Sequence, residues 1–231
     1  QVAALETRDL ILFKTNQVAA LSTDQIASGL TTDQFASLTS ANIAALTTVQ
    51  VGKGLTTDHI VALTTAQAAA LTTLQISAAL STDQVAALER ADFAALKSTQ
   101  IAALTSTQIS KGLSTDQIAA LTTAGITALS TAGMAALTTD QVVALRTDQV
   151  AGLKTAQVAA LTTDQVAALE TRDVAVLSTA SIGALTTDQV SKGLTTSQVA
   201  ALTTAAVTAL TTAGVAALTT DQVVALRTDQ V

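Results

Sequence analysis

Apolar residues recur along this chain with a period of eight. The repeated unit is Leu-Thr-Thr-Asp-Gln-Val-Ala-Ala, which is clearest at residues 161–168, and about 28 such units run from Leu5 to the last one at Leu226. Position 1 is Leu in every unit except the one that Phe13 opens, and position 6 is always apolar. Because positions 1 and 6 accept so little variation, we expect their side chains to face a core.

A short helix in each unit explains this spacing best. In a strand, Leu at position 1 and Val at position 6 would point to opposite faces, and Ala, Asp and Gln are poor strand formers. In one continuous helix, eight residues turn through about 800°, so the Leu side chains would wind around the axis. A Val and the next Leu are three residues apart, which places them on one helix face. The pattern predicts an all-α solenoid of very short helices, one per repeat, with a β-solenoid as the alternative.

Two registers for the start of each helix remain open. In the first, Thr at position 2 caps the helix and Gln at position 5 completes a capping box. In the second, Thr at position 3 caps directly. Position 2 accepts Glu6, Lys97 and Arg146, which favours the second register, whereas the recurrent Gln favours the first. In both, Asp at position 4, such as Asp24 or Asp140, lies in the first turn and complements the helix dipole.

Stacking must supply the stability, since helices of this length melt alone in water. We expect Leu and Val to point inward, Ala to allow close approach, and Thr, Asp and Gln to lie near the corners or the surface. Some units carry a ninth residue, and the first three of these begin 25 residues apart, at Leu21, Leu46 and Leu71. That spacing equals three units and indicates three helices per turn, with two or four still open.

The ninth residue is often glycine, which we interpret as a positive-φ turn or a helix stop. The glycines concerned are Gly29, Gly54, Gly112 and Gly193.

A longer period lies above the octad. Glu6-Thr7-Arg8-Asp9 has counterparts at residues 89–92 and 170–173, which gives ten-octad blocks starting near residues 5, 88 and 169. We expect residues 1–231 to form a single array, and because the sequence begins and ends within a unit, we expect that array to be part of a longer one.

Composition narrows the possible functions. The chain is 49% hydrophobic but has only three Phe and no Pro, Cys, Trp or Tyr, so it offers no disulfide and no thiolate metal site. Its net charge is −6 and its 11 basic residues are scattered, whereas nucleic-acid binding needs a basic stripe. A polar pair at positions 2 and 3, most often Thr-Thr, interrupts the apolar residues in every unit, which excludes a transmembrane helix. We therefore expect no nucleic-acid partner and no membrane insertion.

Individual residues offer little chemistry. His59 is the only histidine and stands at the Gln position, so it cannot build a typical zinc site or serve a repeated hydroxyl nucleophile, and we interpret it as a tolerated substitution. Repeat toxins that bind calcium need a Gly-Gly-x-Gly-x-Asp run, which is missing here. Other units replace the Asp with Ala66, Ala156 or Leu74, although an ion shared by adjacent turns stays open.

The remaining charged groups have structural interpretations as well. The clusters Glu6/Arg8/Asp9 and Glu170/Arg172/Asp173 are expected to form surface ion pairs of small value. Lysines precede glycine at Lys53, Lys111 and Lys192, but a phosphate-binding loop needs more glycines in sequence. The Thr-Thr rows differ from the Thr-x-Thr rows that suit ice or crystal faces. The sequence thus predicts no catalytic, cofactor-binding or metal-binding residue, and no enzyme.

The unit as it stands at Leu161 and Leu185 resembles the octapeptide repeat tracts of very large bacterial secreted or surface proteins, which are often adhesin-like or biofilm-associated. The resemblance covers the whole chain and implies an extracellular structural or adhesive role without a catalytic residue. We accordingly expect a rod, stalk or fibre that self-associates end to end outside the cell or on its surface. The alternative is a solenoid module that binds a glycan, a protein, or an ice or mineral surface.

Overall fold

The computed structural model describes residues 2–231, and its regular structure within that range is entirely helical. Twenty-four α-helices of four to six residues and three π-helices of five residues follow one another in these residues, with 3-10 turns at Val2–Ala4 and Thr228–Gln230. The predicted all-α class is confirmed. The β-solenoid alternative is wrong, because residues 2–231 contain no strand.

The chain separates into two compact units, residues 1–121 and residues 122–231. The helices of the first unit are Thr7–Leu10, Thr15–Ala19, Thr23–Ala27, Thr32–Ala36, Ser40–Ala45, the π-helix Gln50–Gly54, Thr57–Val61, Thr65–Ala68, Thr73–Ala78, Thr82–Ala87, Arg90–Ala94, Ser98–Ala102, the π-helix Gln108–Gly112 and Thr115–Ala120. Those of the second are Thr123–Ile126, Thr131–Ala136, Thr139–Val143, Thr147–Ala151, Thr155–Ala159, Thr163–Ala168, Thr171–Ala175, Thr179–Gly183, the π-helix Gln189–Gly193, Thr196–Ala201, Thr204–Ala209, Thr212–Ala216 and Thr220–Val224.

Two extended residues make the corner between successive helices. The helix Thr163–Ala168 shows the arrangement: Thr162 before it has φ −72° and ψ 163°, and Leu169 after it has φ −59° and ψ 135°. These values are open to any L-residue. No residue in the described range 2–231 has a positive φ. The corner therefore needs neither glycine nor proline, which explains how the octad repeats without them.

The core is built from positions 1 and 6, as predicted. Leu161 is 4% exposed and Val166 is 1% exposed, and the largest fully buried side chains include Phe35 and Phe93, both at position 6. In this same unit, Ala167 at position 7 is exposed and Ala168 at position 8 is half-buried. Small side chains at these positions leave room for the neighbouring backbone.

Within each of the two compact units, a helix packs mainly against the helix three places further along the chain. In the first unit Thr15–Ala19 lies against Ser40–Ala45, and Thr23–Ala27 lies against Gln50–Gly54. In the second, Thr163–Ala168 lies against Gln189–Gly193. The prediction of three helices per turn is confirmed, and two or four per turn is wrong.

In three of the long units the ninth residue is absorbed by widening the last helical turn. In Gln108–Gly112 the N–H of Leu113 donates to the carbonyl of Gln108 at 3.1 Å, a bond across five residues that makes this segment a π-helix. The predicted positive-φ glycine turn is wrong, because every described glycine has a negative φ. Glycine is needed here for close approach: a Cβ on Gly112 would lie 3.0 Å from the carbonyl oxygen of Thr82 and 3.2 Å from Cβ of Val85.

Candidate functional site

The recurrent side-chain contact in this structure is a glutamine amide that joins two turns. Oε1 of Gln165 accepts the N–H of Thr162 at 2.7 Å, while its Nε2 donates to the carbonyls of Leu137 at 2.6 Å and Met134 at 3.0 Å. Leu137 opens the unit three places earlier, so the bond crosses one turn. Helix termini leave such N–H and C=O groups without intrahelical partners. We call this arrangement, a position-5 glutamine bonded to its own helix start and to the turn below, the glutamine clamp.

The clamp recurs in both compact units, residues 1–121 and residues 122–231. In each case the distance from Nε2 to the position-1 leucine carbonyl is 2.6–2.9 Å. The residues that make it are Gln34, Gln50, Gln67, Gln75, Gln84, Gln100, Gln108, Gln117, Gln157, Gln165, Gln189, Gln198, Gln222 and Gln230. The expectation that Gln lies near the corners is confirmed for these residues, whose amides bond corner backbone groups, but a surface location is wrong, since their side chains are buried. Burial is tolerated because the amide is donor and acceptor at once, and both functions are satisfied.

Position 2 is the helix cap. The hydroxyl of Thr162 accepts the N–H of Gln165 at 3.2 Å, which completes the capping box with the reverse bond. The first register is therefore correct and the second is wrong. Where position 2 is Lys14, its side chain offers no acceptor, but its backbone N–H still donates to Oε1 of Gln17 at 2.8 Å. Position 2 accepts basic residues because the glutamine half of the box remains.

His59 takes the place of the clamp glutamine. Its side chain is 3% exposed, Nδ1 receives the N–H of Thr56 at 3.3 Å, and Nε2 lies 3.1 Å from the carbonyl of Leu30. A neutral ring with its proton on Nε2 reproduces both functions of the amide. The ring also lies 5.0 Å from that of Phe35. The ring nitrogens are thus committed to backbone groups, in keeping with our interpretation of a tolerated substitution.

Aspartate replaces the clamp glutamine where glutamate stands at position 2. Asp92 is 3% exposed and its Oδ2 has no hydrogen-bond partner. Burial raises the pKa of this carboxyl, the charge of Glu89 acts in the same direction, and a hydrogen bond from Thr65 opposes both. Asp173 is 1% exposed, and its Oδ1 accepts a hydrogen bond from Thr147 at 2.7 Å. The predicted surface location is wrong for Asp173.

The arginines of the clusters Glu6/Arg8/Asp9 and Glu170/Arg172/Asp173 do lie at the surface. Arg8 pairs with Glu6 at 2.6 Å, and Arg172 pairs with Glu170. A comparable exposed pair joins Arg146 to Asp148 at 2.9 Å, and the hydrogen bond from Arg146 lowers the pKa of Asp148. Exposed pairs of this kind stabilise a fold by roughly 0–1 kcal/mol each.

The three lysines of the Lys-Gly pairs are exposed in the last turns of the π-helices. They are Lys53, Lys111 and Lys192. Lys192 makes an ion pair with Asp188 of its own unit at 2.8 Å.

Residues 2–231 bring no group of three or more His, Asp or Glu side chains together that could hold a metal ion. A shallow, open depression is lined by Glu89, Arg90, Ala91, Ala94 and Ala120, which supply one pair of opposite charges and otherwise methyl groups. Across the same described residues, no helix has both the length and the apolar character needed to cross a membrane. The arrangement that recurs is therefore a structural one, the glutamine clamp.

None of the curated proteins matches this chain. Among solved structures, the leucine-rich repeat-containing protein LegL7 from Legionella pneumophila is similar over 90% of this chain and 77% of its own, at 11% identity and a TM-score of 0.23. This similarity is too weak to assign a fold, and the fold class follows from the helices of this chain itself. The ALTTAQ repeat family model matches residues 2–40, 35–65, 85–123, 112–147, 123–155, 142–171, 166–204 and 204–231. These stretches cover well over half of the sequence, and the chain belongs to the ALTTAQ repeat family.

Proposed function

We propose that the chain is a structural segment of an extracellular or cell-surface protein, in which stacked octads form a rod, stalk or fibre. The observation that carries this proposal is the glutamine clamp. Each unit with a clamp uses its buried polar group to bond the turn below, as Gln165 does to Leu137. Because a further turn can repeat the same bonds, such an array can lengthen without a change in its chemistry.

The proposed location rests on the resemblance of the octad to repeat tracts of large bacterial secreted or surface proteins. The absence of cysteine from the sequence is compatible with an oxidising environment, where a free thiol is a liability. We further propose that copies associate end to end. A turn whose position-1 carbonyls receive no hydrogen bond from a clamp glutamine leaves these acceptors open to the glutamines of another copy. The proposal assigns no catalytic residue.

Electron microscopy of the chain beside a tandem duplicate tests the structural role. Joining Val231 to Ala3 of a second copy keeps the octad register, because these residues occupy positions 6 and 7. We expect elongated particles whose length doubles in the duplicate. Globular particles of both proteins, or a duplicate that is no longer than the single chain, would contradict a rod or stalk.

Labelling of intact and lysed cells of the source organism with an antibody to the chain tests its location. We expect equal labelling of intact and lysed cells. Labelling that appears only after lysis would place the protein inside the cell and would leave the structural role to be judged by microscopy alone.

A binding module is the second candidate, and one face of the second unit favours it. The helices Thr131–Ala136, Thr155–Ala159, Thr179–Gly183 and Thr204–Ala209 stack in one column. They present exposed threonine at position 3 and exposed alanine at position 4. The alanines are Ala132, Ala156, Ala180 and Ala205. Positions 3 and 4 of this face are uncharged, and Lys154 at position 2 of one octad is exposed beside them. A regular row of this kind suits an extended surface such as ice, a mineral or a glycan.

An ice-affinity assay and a glycan array on the wild-type chain test this second candidate. A charged substitution on the face, Ala156→Lys, is the specific variant, and Ala66→Lys at the same position of the first unit is its matched control. Saturable binding that Ala156→Lys alone abolishes would support the binding module. Absence of binding by the wild type would count against it.

A further inference from the structure

Four units between residues 169 and 217 lack the glutamine of the clamp. Position 5 holds Asp173, Ser181, Ala206 and Gly214 in these units. Asp173 offers only acceptors when ionised, and Ser181 is engaged by Ser178, whose hydroxyl lies 2.9 Å from its own. Ala206 and Gly214 stand in consecutive units and carry no polar side-chain atom. Two adjacent clamps are therefore missing from the same turn.

The neighbouring units show which bonds this turn loses. Gln198 donates to the carbonyl of Leu169 at 2.6 Å, and Gln222 donates to that of Leu194 at 2.6 Å. The equivalent carbonyls beneath Ala206 and Gly214 belong to Leu177 and Leu185, which are 8% and 6% exposed. Among the hydrogen bonds of residues 2–231, no side chain donates to either carbonyl.

The helix starts of the same turn are affected too. The N–H of Thr195 donates to Oε1 of Gln198 at 2.8 Å, and that of Thr219 donates to Oε1 of Gln222 at 2.8 Å. The N–H groups of Thr203 and Thr211 have no corresponding amide in their units. Thr203 and Thr211 are exposed, so their N–H groups lose only the bond to the amide. The carbonyls of Leu177 and Leu185 belong to buried residues, where an unmade bond costs more than a made bond gains.

We propose that this turn, residues 202–217, is a built-in opening point. It separates from the turn below it, residues 177–193, at a lower free-energy cost than a clamped turn of residues 122–231 needs to separate from the turn below. In a stacked array each turn contacts only its neighbours, so a local deficit in bonds lowers the cost of opening at that step. The inference concerns the strength of the stack and holds whether or not the protein lies outside the cell.

The missing glutamines can be restored. A Cβ on Gly214 would meet Oγ1 of Thr211 at 3.3 Å and Cδ2 of Leu210 at 3.7 Å, with no backbone atom nearby. Ala206 already carries a Cβ in the same slot and is 4% exposed. The double variant Ala206→Gln/Gly214→Gln is thus expected to fold and to complete both clamps.

Native-state hydrogen exchange of the full chain tests the proposal. The amides to follow are those of Val207, Leu210, Val215 and Leu218, which bond carbonyls three or four residues earlier in the chain. We expect the double variant to slow their exchange by roughly tenfold relative to the wild type, because each clamp adds hydrogen bonds that must break before the turn opens.

A matched control is Ala205→Gln/Ala213→Gln, which adds the same two side chains at exposed position 4. It should leave these exchange rates within about twofold of the wild type. The probed amides lie equally far from the end of the chain in the wild type, the double variant and the control. Fraying of that end therefore affects all three proteins alike.

Three outcomes would overturn the proposal. One is exchange in the double variant that matches the wild type, and another is equal slowing in the control. The third is wild-type exchange at residues 202–217 as slow as that at residues 153–168. Should the double variant lose helical content, Ala206→Gln alone decides, with a roughly threefold slowing expected for one clamp.

Discussion

At the scale of single residues, position 5 discriminates between side chains by their hydrogen-bonding capacity. Glutamine accepts from its own helix start and donates to the turn below. Asn42 keeps the donation, to the carbonyl of Phe13 at 3.0 Å, and its Oδ1 lies 2.6 Å from the hydroxyl of Thr39. His59 keeps both functions with its two ring nitrogens. An aspartate at this position, such as Asp92, has no N–H to donate to the turn below, and this difference makes the position testable.

His59 should tolerate replacement by glutamine and resist replacement by alanine. His59→Gln restores the repeated clamp, so we expect a thermal midpoint equal to or above that of the wild type. His59→Ala leaves the carbonyl of Leu30 without a donor and should cost about 1–3 kcal/mol. Circular dichroism during thermal unfolding measures both, and Asp58→Ala on the exposed side of the same helix is the control. A wild-type midpoint in His59→Ala would show that the ring does not act as a clamp.

Asp92 should give the fold a pH dependence of known sign. Its pKa is raised above the ordinary 3.8 in the folded chain, so the folded state holds the proton more tightly than the unfolded state. The stability that this carboxyl supplies is present below pH 3.8 and is lost as pH rises through the raised pKa. Asp92→Asn should therefore raise the thermal midpoint at pH 7, by about 2–4 °C for each kcal/mol gained, and much less at pH 3.

The exposed variant Asp83→Asn provides the comparison for Asp92. Its carboxylate faces solvent in the first turn of the helix Thr82–Ala87, and its replacement removes the same charge without the burial. Stabilisation by Asp92→Asn that is equal at both pH values would mean that charge burial is not the cause.

At the scale of helices, the widened turns are positions where successive turns of the stack approach closely. Gly54, Gly112 and Gly193 close the π-helices, and an added Cβ on each would lie 3.0–3.3 Å from atoms of the helix below. The contacts involve Ile26, Val85 and Val166. Glycine serves here by its size, since its φ is ordinary. In these three long units the extra residue is accommodated where a side chain is missing.

Gly112→Ala should consequently destabilise the chain more than Gly214→Ala. The first places a methyl group against Thr82 and Val85 and should cost about 1–3 kcal/mol as overpacking. The second has room for the methyl group and should be neutral or slightly stabilising, since Ala favours a helix over Gly by about 1 kcal/mol. Urea unfolding of both variants gives the comparison, and equal effects would contradict the close-approach explanation.

At the scale of the whole molecule, the bonds between turns are mostly neutral. Amide side chains bond backbone carbonyls, and the arginine ion pairs Arg8–Glu6, Arg146–Asp148 and Arg227–Asp229 are exposed. Screening weakens exposed charge pairs and leaves buried amide bonds and apolar contacts largely intact. The stability of the stack is therefore carried by groups that salt affects little.

Raising NaCl from 0.05 to 1 M should move the thermal midpoint by no more than about 2 °C, because a few exposed pairs of roughly 0–1 kcal/mol are all that screening removes. Thermal unfolding at several salt concentrations checks this, with sodium chloride chosen over sulfate so that salting-out does not strengthen apolar burial. A fall of more than about 5 °C would show that ion pairs hold the turns together.

The period of eight residues in the sequence is enough to predict much of this fold. It predicted one short helix per unit, Leu and Val as the core and Asp in the first turn. The spacing of the long units indicated three helices per turn and left two or four open. These properties depend on contacts within a unit or on a spacing that the chain repeats. Comparison of its units with one another was therefore enough to reveal them.

Only the tertiary structure decided what the glutamine does. Its donor bond reaches a carbonyl 28 or 29 residues away, as from Gln165 to Leu137 or from Gln34 to Leu5, and no local pattern identifies that partner. The cap register follows from the other end of the same amide, since Oε1 of the buried Gln100 accepts the N–H at position 2 even where Lys97 replaces threonine. The burial of Asp173 and the close approach at Gly112 likewise depend on the turn below. The octad determines the helix, whereas the stacking of one turn on another determines which polar side chains are buried and which bonds hold the array.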